Sequence, residues 1–180
     1  MGKTKRDQVI ERLLKTFPNL DPTKCKKNSP ATGKYNCAAF AGGDTNRWWQ
    51  PDFHWHEKAV KSVDWRALES QFYHECGYIR CADGALEPGV EKVAIYADAS
   101  DEWTHAAHQR EDGWWESKIG YDVDILHQTL ECLYCNLYGT VVQFLKRERP
   151  NGTAKKAEKI EEAPRLLEPK GIRPDNAKAG

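Results

Sequence analysis

No stretch of about 18 apolar residues occurs in this 180-residue chain, which argues against a helix that crosses a bilayer. The opening segment, Met1-Gly-Lys-Thr-Lys-Arg-Asp7, lacks the apolar run of a secretion signal, so a cytoplasmic setting is expected. An excess of charge of either sign is missing too. The 27 Lys and Arg balance 27 Asp and Glu, for a formal net charge of zero. A neutral chain offers no general electrostatic case for binding nucleic acid or a membrane surface, and neither is expected as a partner. The charge is uneven all the same: residues 1–34 are basic against only Asp7, Glu11 and Asp21, while Asp64 to Asp124 holds most of the acids. There are no internal repeats. The length suits one core, and one domain is expected over residues 1–147, with a disordered tail over 148–180 whose Lys, Glu, Pro and Ala composition buries too little apolar surface to offset its ordering entropy.

What is present is aromatic and thiol-bearing. Six cysteines occur, at 25, 37, 76, 81, 132 and 135, and without a signal segment they are expected as reduced thiols. Of seven tryptophans, Trp48, Trp49, Trp55, Trp114 and Trp115 cluster in two places, a load that core and rim packing account for.

Periodicity sets the expected elements. Val9, Ile10, Leu13, Leu14 and Phe17 form a helical stripe, ended by Pro18 and Pro22. Residues 23–34 read as a loop. Tyr35 to Asp44 starts with a capping residue, runs through small helix formers and ends at a glycine pair, so Cys37 lies in a first turn. Asp64 to Cys76 is the clearest helix, closed by Gly77. Strands are expected at 78–81 and 92–98, and Thr104–Gln109 and Trp114–Ile119 form a hairpin. Residues 122–133 read as a helix and 138–146 as a last strand. The order implies an α+β domain, helices packed on an antiparallel sheet.

Thiolate is the reactive form of cysteine, and a helix start favours it. Cys37 is the cysteine so placed; a small buried hydrophobe is its other reading. A nucleophilic thiol needs a base from a rigid element distant in sequence, and His105, at the head of its strand among small residues, fits. If the hairpin closes through four residues, His105 faces Lys118 and is diagonal to Glu116; closing through three brings Ser117 and Ile119 to that face. The group orienting the imidazole is therefore Glu116 or Ser117. In this reading Cys37, His105, Glu116 and Ser117 are the catalytic candidates, acting on an amide or ester with no cofactor.

The blocks Tyr35-Asn-Cys-Ala-Ala-Phe-Ala-Gly-Gly-Asp44 with Arg47-Trp-Trp49, Leu86-Glu-Pro-Gly-Val-Glu-Lys-Val-Ala-Ile-Tyr-Ala-Asp98, Thr104-His-Ala-Ala107, Ser117-Lys-Ile-Gly120 and Tyr138-Gly139 resemble an uncharacterised bacterial domain family, over roughly Leu13 to Arg147. Phe40 stands where that family commonly has Trp. More remotely, the order of a helix-opening Cys, a strand His and a polar residue on the next strand is similar to papain-like and NlpC-like cysteine hydrolases, which implies a thiol hydrolase or acyltransferase.

Two other classes compete. Cys132-Leu-Tyr-Cys135, with Cys76 and Cys81, has zinc-site spacing but lacks the turn glycine of a knuckle, so no metal is assigned. Asp44, Arg47, Trp48 and Trp49, with Phe53 and Trp55 in the same loop, could instead dock a partner by stacking, which makes a non-catalytic interaction domain the alternative.

Overall fold

The computed structural model describes residues 5–150. Ten regular elements follow one another: helix α1 (Lys5–Leu14), strand β1 (Cys25–Ser29), helices α2 (Cys37–Ala41) and α3 (Trp65–Cys76), then strands β2 (Ile79–Cys81), β3 (Val90–Ala97), β4 (Trp103–Gln109), β5 (Trp115–Lys118), β6 (Asp124–His127) and β7 (Thr140–Glu148). The strands form one sheet in the order β1-β6-β5-β4-β3-β7-β2, and every neighbouring pair is antiparallel. This is an α+β arrangement. No helix among the described residues is long and apolar enough to cross a membrane.

The helices begin and end for local reasons. The Asn36 side chain accepts the Ala39 N–H at 3.0 Å, capping α2, and the Asp64 carboxylate accepts the Arg66 N–H at 2.8 Å, capping α3. Gly77, at φ 74°, ends α3 in the left-handed region that a side chain would disfavour.

Helices cover both faces of the sheet, so its central strands are buried on each side. On one face Val93, Ile95 and Ala106 pack beneath α2 and α3, against Ala38, Leu68 and Phe72. On the other, Ala94, Tyr96, Ala107 and Ile125 meet Ile10 and Leu13 of α1 and the turn at Leu130 and Leu133. Each fully buried large apolar side chain adds about 1.5–3 kcal/mol, which makes the two layers the main stabilising contribution.

Three expectations change. Residues 122–133, read as a helix, form strand β6 and then a short 3-10 turn over Glu131–Leu133. The strand carries Asp124 on one buried face and Ile125 and His127 on the other, so burial on both sides erased the alternation that marks a strand. Residues 25–29, read as loop, form edge strand β1, whose pairing with β6 is a tertiary matter with no local signal. The expected boundary at 147 falls inside β7, and the Arg149 N–H bonds the Gly89 carbonyl at 2.9 Å; from residue 151 on, the expected tail lies outside the described residues.

Candidate active site

Asn36 anchors the segment that carries Cys37. Its side chain donates to the Trp49 carbonyl at 2.9 Å and accepts the Trp49 N–H at 3.1 Å, tying the start of α2 to the aromatic loop. Trp49 is 1% exposed, and its ring lies where a Cβ on Gly42 would approach to 2.3 Å, so glycine is required there. That burial corrects the expectation of Trp49 as a surface platform: the ring is core, packed on Phe72 at 5.8 Å. Trp48 is partly open and lies against Tyr121 at 5.0 Å.

α2 lies over β4 and β5. The β4–β5 ladder pairs Gln109 with Trp115, His108 with Glu116 and Ala107 with Ser117. This is the three-residue closure, and it decides between the two candidate partners of His105. Ser117 Oγ lies 2.9 Å from His105 Nε2, whereas Glu116 is on the opposite face, 3.5 Å from His108 Nδ1 and accepting from Arg110 at 3.1 Å. Glu116 is therefore not the group that orients His105.

The imidazole of His105 is fully buried. It stacks on Tyr138 at 4.3 Å and 10°, and meets Tyr96 edge-on at 5.1 Å. Gly139, which follows Tyr138, approaches β3 so closely that a Cβ there would strike the Ala97 carbonyl. Beyond Ser117 the contacts continue to His127 Nε2 at 2.8 Å, and from His127 Nδ1 to the Thr129 carbonyl at 2.8 Å. His105 Nδ1 is buried without a hydrogen-bond partner among the described residues. Burial, and after it the neighbouring His127, hold the His105 pKa well below the usual histidine value; burial lowers His127 to about 4.

Cys37 meets the sheet at the peptide that follows His105, where the Ala106 N–H faces its sulfur. Its influence also reaches Tyr138, whose hydroxyl is pushed up by burial first and by Cys37 next. The residue as a whole is half-buried, while the thiol itself sits in a desolvated environment. Burial pushes the thiol up to about 11, against the opposing pull of the Ala106 and Ala38 N–H groups and the Lys118 charge. The expected thiolate is thus corrected: five residues of α2 provide too small a dipole to offset desolvation, so Cys37 rests as the thiol and, separately, His105 as the neutral imidazole. Cys25 and Cys76 are likewise raised to about 11, and Cys132 to about 12, each by burial.

Below Cys37 lies a polar group that sequence reasoning did not assemble. Lys118 is fully buried, 3.9 Å from Asp124 Oδ1, and donates to the Asp122 carbonyl. Asp124 Oδ2 accepts from the Tyr35 hydroxyl at 2.7 Å and from Ser29 at 2.5 Å. His127 was missed for a plainer reason, since it sits in the segment read as a helix.

Asp44 and Arg47 do pair, Arg47 Nε donating to Asp44 Oδ2 at 2.6 Å. Burial opposes ionisation of Asp44, yet Arg47, the Asn46 N–H and Trp49 Nε1 hold its carboxyl below the usual range. The two line an open cleft of about 560 Å³ with Gly42, Glu75 and Arg147. Among the described residues no group of three or more His, Cys, Asp or Glu side chains is placed to hold a metal ion.

Fold and site define an α+β antiparallel-sheet domain with a thiol at the start of α2, met by the Ala106 N–H of β4, and a buried histidine one residue earlier on that strand. Residues 26–146 match the family described as Domain of unknown function (DUF7689), which covers more than half of the chain, and the chain belongs to that family. No curated protein and no solved structure matches it.

Proposed function

We propose that the protein is a thiol hydrolase or acyltransferase acting on an amide or ester, with Cys37 as nucleophile, His105 as base and Ser117 orienting the imidazole. One observation carries the reading: Cys37 meets β4 at the N–H of Ala106, the residue after His105, whose Nε2 is engaged by Ser117 and whose Nδ1 is buried and unpartnered, while no hydrogen bond joins the sulfur to the ring in the resting structure. The element order of papain-like and NlpC-like hydrolases, a helix-opening cysteine on an antiparallel sheet with histidine and a polar residue on adjacent strands, supports it by analogy. Because the resting pair is neutral, the proton leaves sulfur as the bond to carbon forms, as with a serine nucleophile. Sulfur attacks the acyl carbon, His105 Nδ1 takes the thiol proton and returns it to the departing nitrogen or oxygen, and the carbon–heteroatom bond breaks to leave a thioester. Water or a second acceptor then attacks the thioester carbon, giving its proton to His105; the carbon–sulfur bond breaks, the acyl group leaves on the acceptor, and the proton passes to sulfur, which restores the thiol. The N–H groups at the start of α2 face the forming oxyanion. A free thiol of this kind suits a reducing compartment such as the cytoplasm.

The test is acylation. Incubated with p-nitrophenyl acetate at neutral pH and read by site-resolved mass spectrometry, the protein is expected to carry an acetyl group on Cys37 ahead of the other five thiols, and His105→Gln is expected to slow it by about 100-fold or more. Label spread evenly over the cysteines, or a Cys37 rate indifferent to His105, overturns the reading. The cleft at Asp44 and Arg47 favours the second reading, an interaction domain, and a peptide ligand bound there by a protein whose Cys37 stays unacylated is the result that selects it.

A further inference from the structure

We propose that His127 is a positioning residue that, through Ser117, holds His105 in the tautomer with Nε2 protonated and Nδ1 bare. The geometry stands by itself; its catalytic consequence rests on the thiol-transfer reading above.

The direction of each hydrogen bond follows from counting protons. A backbone carbonyl only accepts, so His127 Nδ1, 2.8 Å from the Thr129 oxygen, carries a hydrogen. A neutral imidazole has one N–H, which leaves His127 Nε2 as an acceptor. Its partner at 2.8 Å is the Ser117 hydroxyl, whose single proton is therefore directed at His127. The serine oxygen then has only lone pairs to offer His105 Nε2, at 2.9 Å, so that nitrogen must bear the imidazole proton of His105. His105 Nδ1 is what remains: an unprotonated lone pair, buried and unpartnered.

All three side chains are fully buried, so water does not compete for these bonds. Reversing the chain turns Ser117 toward His105, and then either the Thr129 carbonyl faces a bare nitrogen or His127 carries a charge that its burial opposes. The register supplies the alignment: Ser117 pairs with Ile125 and Trp115 with His127 on neighbouring strands, which sets the serine diagonal to both histidines on one face. A base for a neutral thiol must present a bare nitrogen, and this chain of bonds selects which one it is.

Nitrogen-15 NMR of the full chain at neutral pH reads the tautomers directly. The native protein is expected to show the unprotonated signature at His105 Nδ1 and at His127 Nε2; a protonated Nδ1 on His105 overturns the proposal without any variant. In His127→Phe the acceptor is gone, Ser117 is free to donate to His105 Nε2, and the His105 proton is expected to shift toward Nδ1. His127→Gln, whose amide oxygen accepts from Ser117, is expected to restore the native signature, and Ser117→Ala gives a second route if His127→Phe does not fold. A folded His127→Phe with His105 unchanged also overturns the proposal. Acetylation of Cys37, followed in parallel, is expected to slow at least about tenfold in His127→Phe and to recover in His127→Gln. Tautomers as expected with no Cys37 acylation in any form sink the thiol reading alone; acylation present with the tautomer unmoved sinks the role of His127 alone.

Discussion

His105 and His108 sit on the same strand with two residues between them, and the sheet treats them oppositely. His105 points into the layer closed by α1, where its neighbours are tyrosines, a serine and a neutral histidine. His108 points to the other face, with Nε2 3.2 Å from Glu91 and Nδ1 3.5 Å from Glu116. Burial lowers the first well below the ordinary histidine value; for the second, burial also pulls downward but the two carboxylates outweigh it and raise the pKa. One strand thus presents a neutral imidazole on one side and one biased toward the cation on the other. The residue type does not decide its protonation; the groups facing it do.

The charged side is the easier to break. Glu91 accepts from Tyr78 at 2.9 Å, from Arg147 and from His108, and its carboxyl is held at about 2 because these partners outweigh its burial. Glu91→Leu removes the carboxylate shared by Arg147, Arg149 and His108, and a loss of about 3–5 kcal/mol in urea unfolding is expected. A loss under about 1 kcal/mol would mean that the hub is solvated and that the contrast between the faces is overstated.

The neutral side is tested by acid. A histidine depressed in the fold favours the unfolded chain as pH falls, so the stability associated with His105 and His127 is present above about 6.5 and lost below it; for His127 the loss runs down to about 4. That window is worth about 3 kcal/mol for His127 alone. His108 has the opposite sign: its contribution is full below about 6.5 and disappears as pH rises through its raised folded value. Unfolding free energies from pH 4 to 8 should therefore show a shallower acid loss in His127→Phe, and a weaker decline on the alkaline side in His108→Gln. Identical profiles for the two variants would erase the comparison.

The smallest effect is expected at Arg47. Its side chain is about half exposed, so Arg47→Ala is expected to change stability by less than about 1 kcal/mol despite the 2.6 Å contact with Asp44. A larger loss would show that the cleft is a structural element.

Local chemistry made much of this architecture legible. The stripe of Ile10 and Leu13, the Asp64 cap and Gly77 stop of α3, the apolar run of β3 and the hairpin around Asp112 and Gly113 are each written in adjacent residues, and so was the choice of Cys37 as the thiol at a helix start. Tertiary structure decided the rest. Whether Glu116 or Ser117 meets His105 depended on a one-residue difference in hairpin closure, which turns the facing side chains over. Whether β6 was a strand depended on neighbours on both faces. Whether Cys37 was an anion depended on desolvation, which no spacing of residues encodes, because the cost of a charge is set by what surrounds it in space and not by what precedes it in the chain.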